Sequence, residues 1–270
     1  MPVRLVLFDA LHTLLTPRLP IYLQYAHTFE PFLGSLDPAT LKTSFKSALK
    51  QLQAEKPVYE SGAREWWAEV IRRTAVGAGA DPPTVDRSLP QIVPRLLHRF
   101  ASREGYMLFP DTLPARAFPV ILLSAPRSPP TLRRVSPIVK SLRAAGVFTG
   151  VISNTDTRMR AVLDDLDATR HLNIVLLSEE EGIEKPAPEI FLRACTRIGL
   201  RPAEALHVGD ELKADYYGAQ ASGLAALLLR RPGAEGEGEM KDADENLSAV
   251  EIVSGLADVV DWVHRRNASL

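Results

Sequence analysis

The chain has 270 residues, a formal net charge of −1 and 46% apolar residues. This near-neutral charge gives no electrostatic basis for binding nucleic acid or an anionic membrane, and no apolar run reaches the roughly 18 residues that span a bilayer. The single cysteine, Cys195, excludes an internal disulfide bond and is typical of a reducing compartment, so we expect a cytoplasmic protein, with the nucleus as an alternative.

The first part of the chain predicts one short strand followed by a helical insertion. Residues 3–8 are apolar on both faces, which is typical of a strand buried in a parallel sheet, and the run ends on Asp9. Residues 17–108 show helical periodicity in four stretches, one capped by Asp37 and the last interrupted near Pro94. We predict no strand within this insertion, which has the usual size of a small domain.

Residues 109–270 alternate between strand-like and helical patterns, and this alternation predicts an α/β fold with a doubly wound parallel sheet. The strand at residues 3–8 must join that sheet, so the core comprises residues 1–16 and 109–270. Residues 116–137 fit no element; they are either a surface excursion or translated intron sequence, and we favour the second explanation. The Gly-rich acidic stretch GAEGEGEMKDADEN predicts a mobile surface loop, and Ser254 a cap for the last helix.

Polar residues follow four of the predicted strands or their connections. They are Asp9, the pair Ser153 and Asn154, Lys185 in GIEKPAPEIF, and Asp210 in LHVGDE. Ligands of doubly wound sheets bind outside the carboxyl ends of the strands, so these side chains should converge on one edge. Paired carboxylates suit Mg²⁺, and a lysine beside a hydroxyl suits a phosphate, which makes Asp9 a candidate nucleophile.

These segments, in this order, resemble the motifs of the haloacid dehalogenase-like (HAD) hydrolase superfamily. The first motif is DALHT with Asp9 and Thr13, the second is VISNTD, the third is EKPAPEIF, and the fourth is HVGDELKADYYGA with Asp210 and Asp215. Within the superfamily the sequence is similar to a eukaryotic group of HAD-like hydrolase domain-containing proteins. The resemblance implies a Rossmann-like core, and the helical insertion at residues 17–108 falls where such proteins carry a cap domain.

The resemblance also implies a set of site residues, a cofactor and a substrate class. Asp9 and Lys185 would be catalytic, and Ser153, Asn154, Lys185 and Thr13 would bind phosphate. A Mg²⁺ ion would be held by Asp9, the backbone carbonyl of Leu11, Asp210 and Asp215. Asp215 has two alternatives, orienting Lys185 or capping a helix, and Ser153 and Asn154 are also expected to cap the next helix. The expected partner is a small phosphorylated molecule, and protein partners stay open.

Leu11 departs from the pattern, because phosphatases of this superfamily generally carry a second aspartate there as the acid and base. Leucine cannot transfer protons, and general acid–base catalysis is typically worth about 10²–10⁴ in rate. His12 is a weak candidate for the missing group. Three functions stay open: a slow phosphatase using an aspartyl-phosphate intermediate, a 2-haloacid dehalogenase, and a catalytically impaired binding or scaffold protein. The retained Asp9, Lys185 and Asp210 favour the first.

Overall fold

The structure is a computed structural model that describes residues 1–59, 62–112, 138–239, 241 and 244–269. The irregular insertion predicted at residues 116–137 lies outside the described residues. Among the described helices, none combines the length and the hydropathy that crossing a membrane requires.

Within the residues that the structure describes, eight strands form two sheets. The strands are β1 (Leu5–Phe8), β2 (Leu15–Pro17), β3 (Tyr106–Leu108), β4 (Phe148–Ser153), β5 (Ile174–Leu177), β6 (Ala205–Gly209), β7 (Ala225–Leu229) and β8 (Ile252–Val253). The larger sheet has the order β5-β4-β1-β6-β7-β8, and all of its pairings are parallel. The predicted α/β fold with a parallel sheet is therefore confirmed, and β1 lies between β4 and β6.

Ten α-helices accompany the strands in the described part of the chain. They are α1 (Ile21–Leu33), α2 (Pro38–Glu55), α3 (Ala63–Gly77), α4 (Pro82–Arg99), α5 (Ile138–Ala144), α6 (Arg158–Asp165), α7 (Ser178–Glu181), α8 (Pro188–Ile198), α9 (Gly218–Ala221) and α10 (Leu256–Ala268), with a π-helical turn at Leu212–Tyr217. Val6 and Phe8 of β1 pack with α5, α6 and α10, whereas Leu5 and Leu7 pack with α8 and α9. Successive strand residues face opposite sides, so helices cover both faces of the sheet.

The helical block α1–α4 has a hydrophobic cluster of its own, built around Tyr25, Phe29, Leu52 and Ile92. The predicted cap at Asp37 is confirmed, since its carboxylate accepts a hydrogen bond of 2.8 Å from the Thr40 amide. The interruption predicted near Pro94 is wrong, because α4 runs unbroken through it. A proline removes a backbone hydrogen bond, but burial of the apolar face of α4 in the cluster offsets that loss.

A small antiparallel sheet connects the two ends of the helical block, a region in which we predicted no strand. One of its strands precedes α1 and the other follows α4. Strands β2 and β3 pair there, with Leu15 opposite Leu108 and Pro17 opposite Tyr106. Each strand has only three residues, which is too short for a period of two to show in the sequence.

Two predicted helix caps also differ from the structure. The helix expected to be capped by Ser153 and Asn154 is α6, and Asp156 instead accepts the Arg158 amide at 2.9 Å. Ser254 does not cap α10, whose N-cap is Gly255; its amide and hydroxyl donate to the Asp258 carboxylate at 2.9 and 2.8 Å. Of the acidic stretch at residues 233–246, the structure describes 233–239, 241 and 244–246; most of these residues are exposed, as expected of a surface segment, whereas Gly236 and Glu239 are buried.

Candidate active site

Parallel pairing brings the first, second and fourth motifs to one edge of the sheet. Phe8 in β1 is paired with Val151 in β4 on one side and with Val208 in β6 on the other. The residues that follow these positions are Asp9, Ser153 with Asn154, and Asp210, so all three segments emerge at the same strand ends. The Asp9 amide donates to the Val208 carbonyl at 2.9 Å, which ties the first motif to the strand before the fourth.

The buried ammonium group of Lys185, from the third motif, contacts carboxylates of the first and fourth motifs. Its Nζ lies 2.7 Å from Oδ1 of Asp9 and 2.6 Å from Oδ1 of Asp215. Nε2 of His207 lies 2.8 Å from the same Asp215 oxygen. We call Asp9, Lys185, Asp215 and His207 the Asp9 cluster; its side chains come from the first, third and fourth motifs.

Gly209 leaves the space that Asp215 needs. A Cβ at position 209 would lie 2.1 Å from Cγ of the Asp215 side chain, far closer than atoms can approach. The second oxygen of Asp215 accepts the Glu211 amide at 2.9 Å. Both oxygens of Asp215 are therefore bonded within the protein, and these contacts fit the alternative in which Asp215 orients Lys185.

Burial and neighbouring charges set the protonation states in the Asp9 cluster. Burial raises the pKa of Asp9, and Asp215 adds to that rise while Lys185 opposes it. Burial would lower the pKa of Lys185, but the charges of Asp215 and Asp9 raise it above its ordinary value, so the ammonium stays protonated. Burial lowers the pKa of His207, and a neutral ring donates from Nε2 to the Asp215 carboxylate.

Asn154 holds the backbone of Lys185. Its side-chain oxygen accepts the Lys185 amide at 2.7 Å, and its Nδ2 donates to the Lys185 carbonyl at 2.8 Å. Both polar ends of the Asn154 side chain are thus turned to the third motif. Its part in phosphate binding stays a prediction, and the contacts indicate that it acts by positioning Lys185. Ser153 is buried at the end of β4.

The turn after Asp9 carries the remaining residues of the first motif. The Thr13 hydroxyl donates to Oδ1 of Asp210 at 3.4 Å, which links the first and fourth motifs. His12 has a positive φ of 63°, and its ring packs so closely on Gly238 that a Cβ there would lie 2.4 Å from Cε1. Burial and the Arg231 charge lower the pKa of His12 to about 4. This half-buried imidazole is neutral at physiological pH and therefore cannot act as a general acid in place of the aspartate missing at position 11.

The order of these segments and their convergence match a known family. Residues 3–223 match the model of the haloacid dehalogenase-like hydrolases, which covers most of the chain. The chain belongs to this family.

Relatives include haloacid dehalogenase-like hydrolase domain-containing proteins and a phosphatase. The chain is 29% identical over 234 residues to haloacid dehalogenase-like hydrolase domain-containing protein 3 of Danio rerio, covering 85% of this chain and 86% of that protein. It is 37% identical over 98 residues to the glyceraldehyde 3-phosphate phosphatase of Methanopyrus kandleri, covering 36% of this chain and 42% of that protein. Among solved structures, the 2-haloacid dehalogenase of Pseudomonas syringae has 23% identity and a TM-score of 0.60, with 98% and 99% of the two chains covered, which indicates a shared fold.

The charges of the HAD-like site fit a divalent cation. Asp9 and Asp215 are both buried and share one ammonium, that of Lys185, while burial lowers the pKa of His207; Asp210 is also buried. Buried carboxylates in excess of cations are costly, and carboxylate and carbonyl oxygens are ligands of Mg²⁺. Among the described residues, no group of three or more His, Cys, Asp or Glu side chains forms a metal-binding cluster, so an ion there would complete its coordination with backbone oxygens, water or substrate.

A second charged group, absent from our sequence analysis, joins the core to the helical block. Oδ2 of Asp156 accepts the indole N–H of Trp67 at 2.7 Å and lies 2.6 Å from Nη2 of Arg158. The Arg158 guanidinium in turn stacks over the Trp67 ring at 5.0 Å. We call these three residues the Asp156 junction. Asp156 lies two residues after Asn154, so its position next to the second motif could have marked it as a candidate site residue. Nothing in the sequence, however, indicates that Asp156 contacts Trp67.

Proposed function

We propose that this chain is a Mg²⁺-dependent phosphatase-like hydrolase that uses Asp9 as its nucleophile and acts on small phosphorylated molecules with good leaving groups. The observation that carries the proposal is the buried Lys185 ammonium, which lies 2.7 Å from Asp9 at the carboxyl end of β1. A cation held beside a buried carboxylate both orients the nucleophile and attracts the anionic group to be transferred.

In the first step, the Asp9 carboxylate attacks phosphorus, forming an O–P bond as the bond to the leaving oxygen breaks. Negative charge spreads over the phosphoryl oxygens during this step, and electrostatic stabilisation of that charge is the main task of the protein. Lys185 would supply it, with Ser153 as a further donor at the same strand ends; Thr13 could donate only by releasing its bond to Asp210. Asp215 holds Lys185 in place from the opposite side, at 2.6 Å.

In the second step, water splits the aspartyl phosphate and restores the Asp9 carboxylate with release of phosphate. Leu11 can neither protonate the leaving group in the first step nor activate water in the second. His12 does not compensate, because its pKa is lowered to about 4 and its ring is buried against the loop at residues 233–239. The reaction should therefore favour acyl and aryl phosphates, whose leaving groups need no proton.

Asp9, Asp210 and the backbone carbonyl of Leu11 would hold the Mg²⁺. When bound, the ion would offset the excess of buried negative charge and help to neutralise the transferred phosphoryl group. Asp215 is better placed to hold Lys185, since both of its oxygens accept hydrogen bonds from the protein. The phosphatase activity of the Methanopyrus kandleri relative supports the substrate class.

The test compares hydrolysis of p-nitrophenyl phosphate and acetyl phosphate by the wild type and by Asp9→Asn, with and without Mg²⁺. We expect turnover that needs Mg²⁺ and that Asp9→Asn abolishes. Asp86→Asn is the matched control, since Asp86 is an exposed carboxylate of the helical block paired with Arg72 at 2.7 Å. Turnover that ignores Mg²⁺, or that survives in Asp9→Asn, defeats the proposal.

Leu11 also favours a second candidate, a 2-haloacid dehalogenase, since that chemistry does not need the second aspartate of the first motif. In that reaction the Asp9 carboxylate would displace halide from carbon, and water would then cleave the ester. Halide release from a 2-haloacid in the absence of metal, lost in Asp9→Asn, would establish this candidate. If neither assay gives turnover while Mg²⁺ or phosphate still binds, the chain is a binding protein with the HAD fold.

A further inference from the structure

Two consecutive arginines, Arg230 and Arg231, directly follow β7 and reach the backbones of two motifs. Neither belongs to a motif, and our sequence analysis did not select them. Because β7 is paired with β6, and β6 with β1, residues that follow β7 lie beside the turns that follow β6 and β1. These two turns carry Asp210 and the segment from Asp9 to Thr13.

Arg231 is buried and holds the turn of the first motif. Its Nη1 donates to the His12 carbonyl and its Nη2 to the Thr13 carbonyl, each at 2.9 Å. Its side chain is only 1% exposed, and Asp111 balances its charge at 3.2 Å. The guanidinium also lies over the ring of Phe109, with its carbon 3.7 Å from the ring centroid.

The turn that Arg231 holds needs such support. His12 has a positive φ of 63°, a conformation that costs energy in a residue other than glycine. The turn is closed by three backbone hydrogen bonds, from Leu14 and Leu15 to the Ala10 carbonyl and from His12 to the Leu15 carbonyl. The His12 and Thr13 carbonyls, which bind Arg231, accept none of those three bonds.

Arg230 acts in the same way on the fourth motif. Its Nη1 donates to the backbone carbonyl of Asp210, and its Nη2 lies 2.7 Å from the Glu245 carboxylate. Adjacent side chains thus bind the backbone of each segment that carries a proposed Mg²⁺ ligand. Thr13 and Asp210 are in turn hydrogen-bonded to each other at 3.4 Å.

We propose that Arg231, with Arg230 beside it, is a positioning residue that fixes the turn after Asp9, and with it the Leu11 carbonyl and Thr13, relative to Asp210. This inference rests on the proposed function for its catalytic consequence, though not for the geometry of the turn. Groups that orient metal ligands from behind typically contribute about 10–100-fold to affinity or activity. Arg231 has the contacts of such a group.

The experiment has two arms, applied to Arg231→Met, Arg231→Lys and the control Arg160→Met. Arg160 also donates to one backbone carbonyl, that of Val175 at 3.2 Å, and to one carboxylate, that of Glu180 at 3.0 Å, but it touches neither motif. The first arm measures amide hydrogen exchange of the metal-free full-length chain in the segment at residues 9–17. The second measures Mg²⁺ affinity by calorimetry and hydrolysis of p-nitrophenyl phosphate.

We expect exchange in residues 9–17 to accelerate at least about tenfold in Arg231→Met and to be unchanged in Arg160→Met. Mg²⁺ affinity and kcat should fall about 10–100-fold in Arg231→Met, with KM little changed. Arg231→Lys should recover part of both effects, since a lysine can donate to one of the two carbonyls. If Arg231→Met does not fold, Arg231→Lys tests the proposal instead. We then expect smaller changes in exchange, Mg²⁺ affinity and kcat, in the same directions.

Two outcomes overturn the inference. One is unchanged exchange in residues 9–17. The other is accelerated exchange without any loss of Mg²⁺ affinity or kcat, which would make Arg231 a purely structural residue. If the wild type neither binds Mg²⁺ nor hydrolyses phosphate, the proposed function fails, while accelerated exchange confined to residues 9–17 still supports the positioning of the turn by Arg231.

Discussion

Asp9 and Asp156 follow neighbouring strands, and each lies within 2.7 Å of a cationic side chain, yet the pKa shifts of the two are opposite. Burial raises the pKa of Asp9, and Lys185 offsets this only in part because it is shared with Asp215. Burial would also raise the pKa of Asp156, but the bonds from Arg158, helped by the Trp67 N–H, lower it. The charge of Asp9 is thus only partly compensated within the protein, whereas the charge of Asp156 is compensated by Arg158 and Trp67.

Under the proposed function, this difference separates a catalytic site from a group that stabilises the fold. The Asp9 cluster has two buried carboxylates and one ammonium, an excess of negative charge that favours binding of a cation. The Asp156 junction pairs one carboxylate with one guanidinium and one indole N–H, and it connects the core to α3 of the helical block. Substitutions in the two groups should therefore change different properties.

The largest effect should come from Lys185→Met, which leaves Asp9 and Asp215 buried without their shared cation. We expect the free energy of unfolding to fall by about 3–5 kcal/mol, together with loss of turnover. Urea denaturation at neutral pH measures the first, and hydrolysis of acetyl phosphate the second. The double variant Asp9→Asn with Lys185→Met should recover part of the stability. A single variant as stable as the wild type would contradict the view that Lys185 neutralises this cluster.

The variant Leu11→Asp supplies the missing acid–base group. On an alkyl phosphomonoester we expect kcat to rise by about 10² or more, since proton transfer to a poor leaving group limits that reaction. The gain on p-nitrophenyl phosphate should be much smaller, because its leaving group needs no proton. Leu11→Asn is the matched control, with similar size and no acid. Equal rates for Leu11→Asp and Leu11→Asn, with folding intact, would refute the view that the missing acid at position 11 limits the reaction.

The variant Asp156→Asn tests the contribution of the Asp156 junction to stability. It removes the charge that Arg158 and Trp67 share, and we expect the free energy of unfolding at neutral pH to fall by about 1.5–3 kcal/mol. Because the folded pKa of Asp156 is lowered from 3.8, its contribution is present above the unfolded pKa and is lost as pH falls through the folded one.

Denaturation curves of the wild type and Asp156→Asn should therefore keep a constant separation above pH about 5 and converge in more acidic solution. A separation that is independent of pH down to strongly acidic conditions would show that Asp156 contributes no charge-dependent stability.

The smallest effect should come from Trp67→Phe, which removes the indole N–H bonded to Asp156 and keeps an aromatic face for Arg158. We expect a loss of about 1–2 kcal/mol in the free energy of unfolding, smaller than that of Asp156→Asn. Thermal and urea denaturation measure it. A loss larger than that of Asp156→Asn would place the stabilisation in the packing of the indole ring and not in its hydrogen bond.

Much of the fold and part of the site could be predicted from local patterns. The apolar run at residues 3–8 and the later β/α alternation fix a parallel sheet, and parallel strands present their carboxyl ends at one edge. That rule predicts that Asp9, Lys185 and Asp210 lie at a common edge, and in the structure Lys185 contacts Asp9. The prediction failed for short elements. Strands β2 and β3 have three residues each, too few to show the alternation of apolar and polar residues that predicts a strand.

The sequence by itself determined the sheet, the helical insertion, the order of the four motifs and the absence of an acid at position 11, because these depend on residue type, spacing and local periodicity. Only the tertiary structure decided that Asp215 holds Lys185, that Asp156 bonds Trp67, and that Arg231 holds the turn of His12 and Thr13. These contacts join residues 30 to 219 positions apart. No local pattern encodes such a distant partner, since it depends on how the completed sheet brings separate strand ends together.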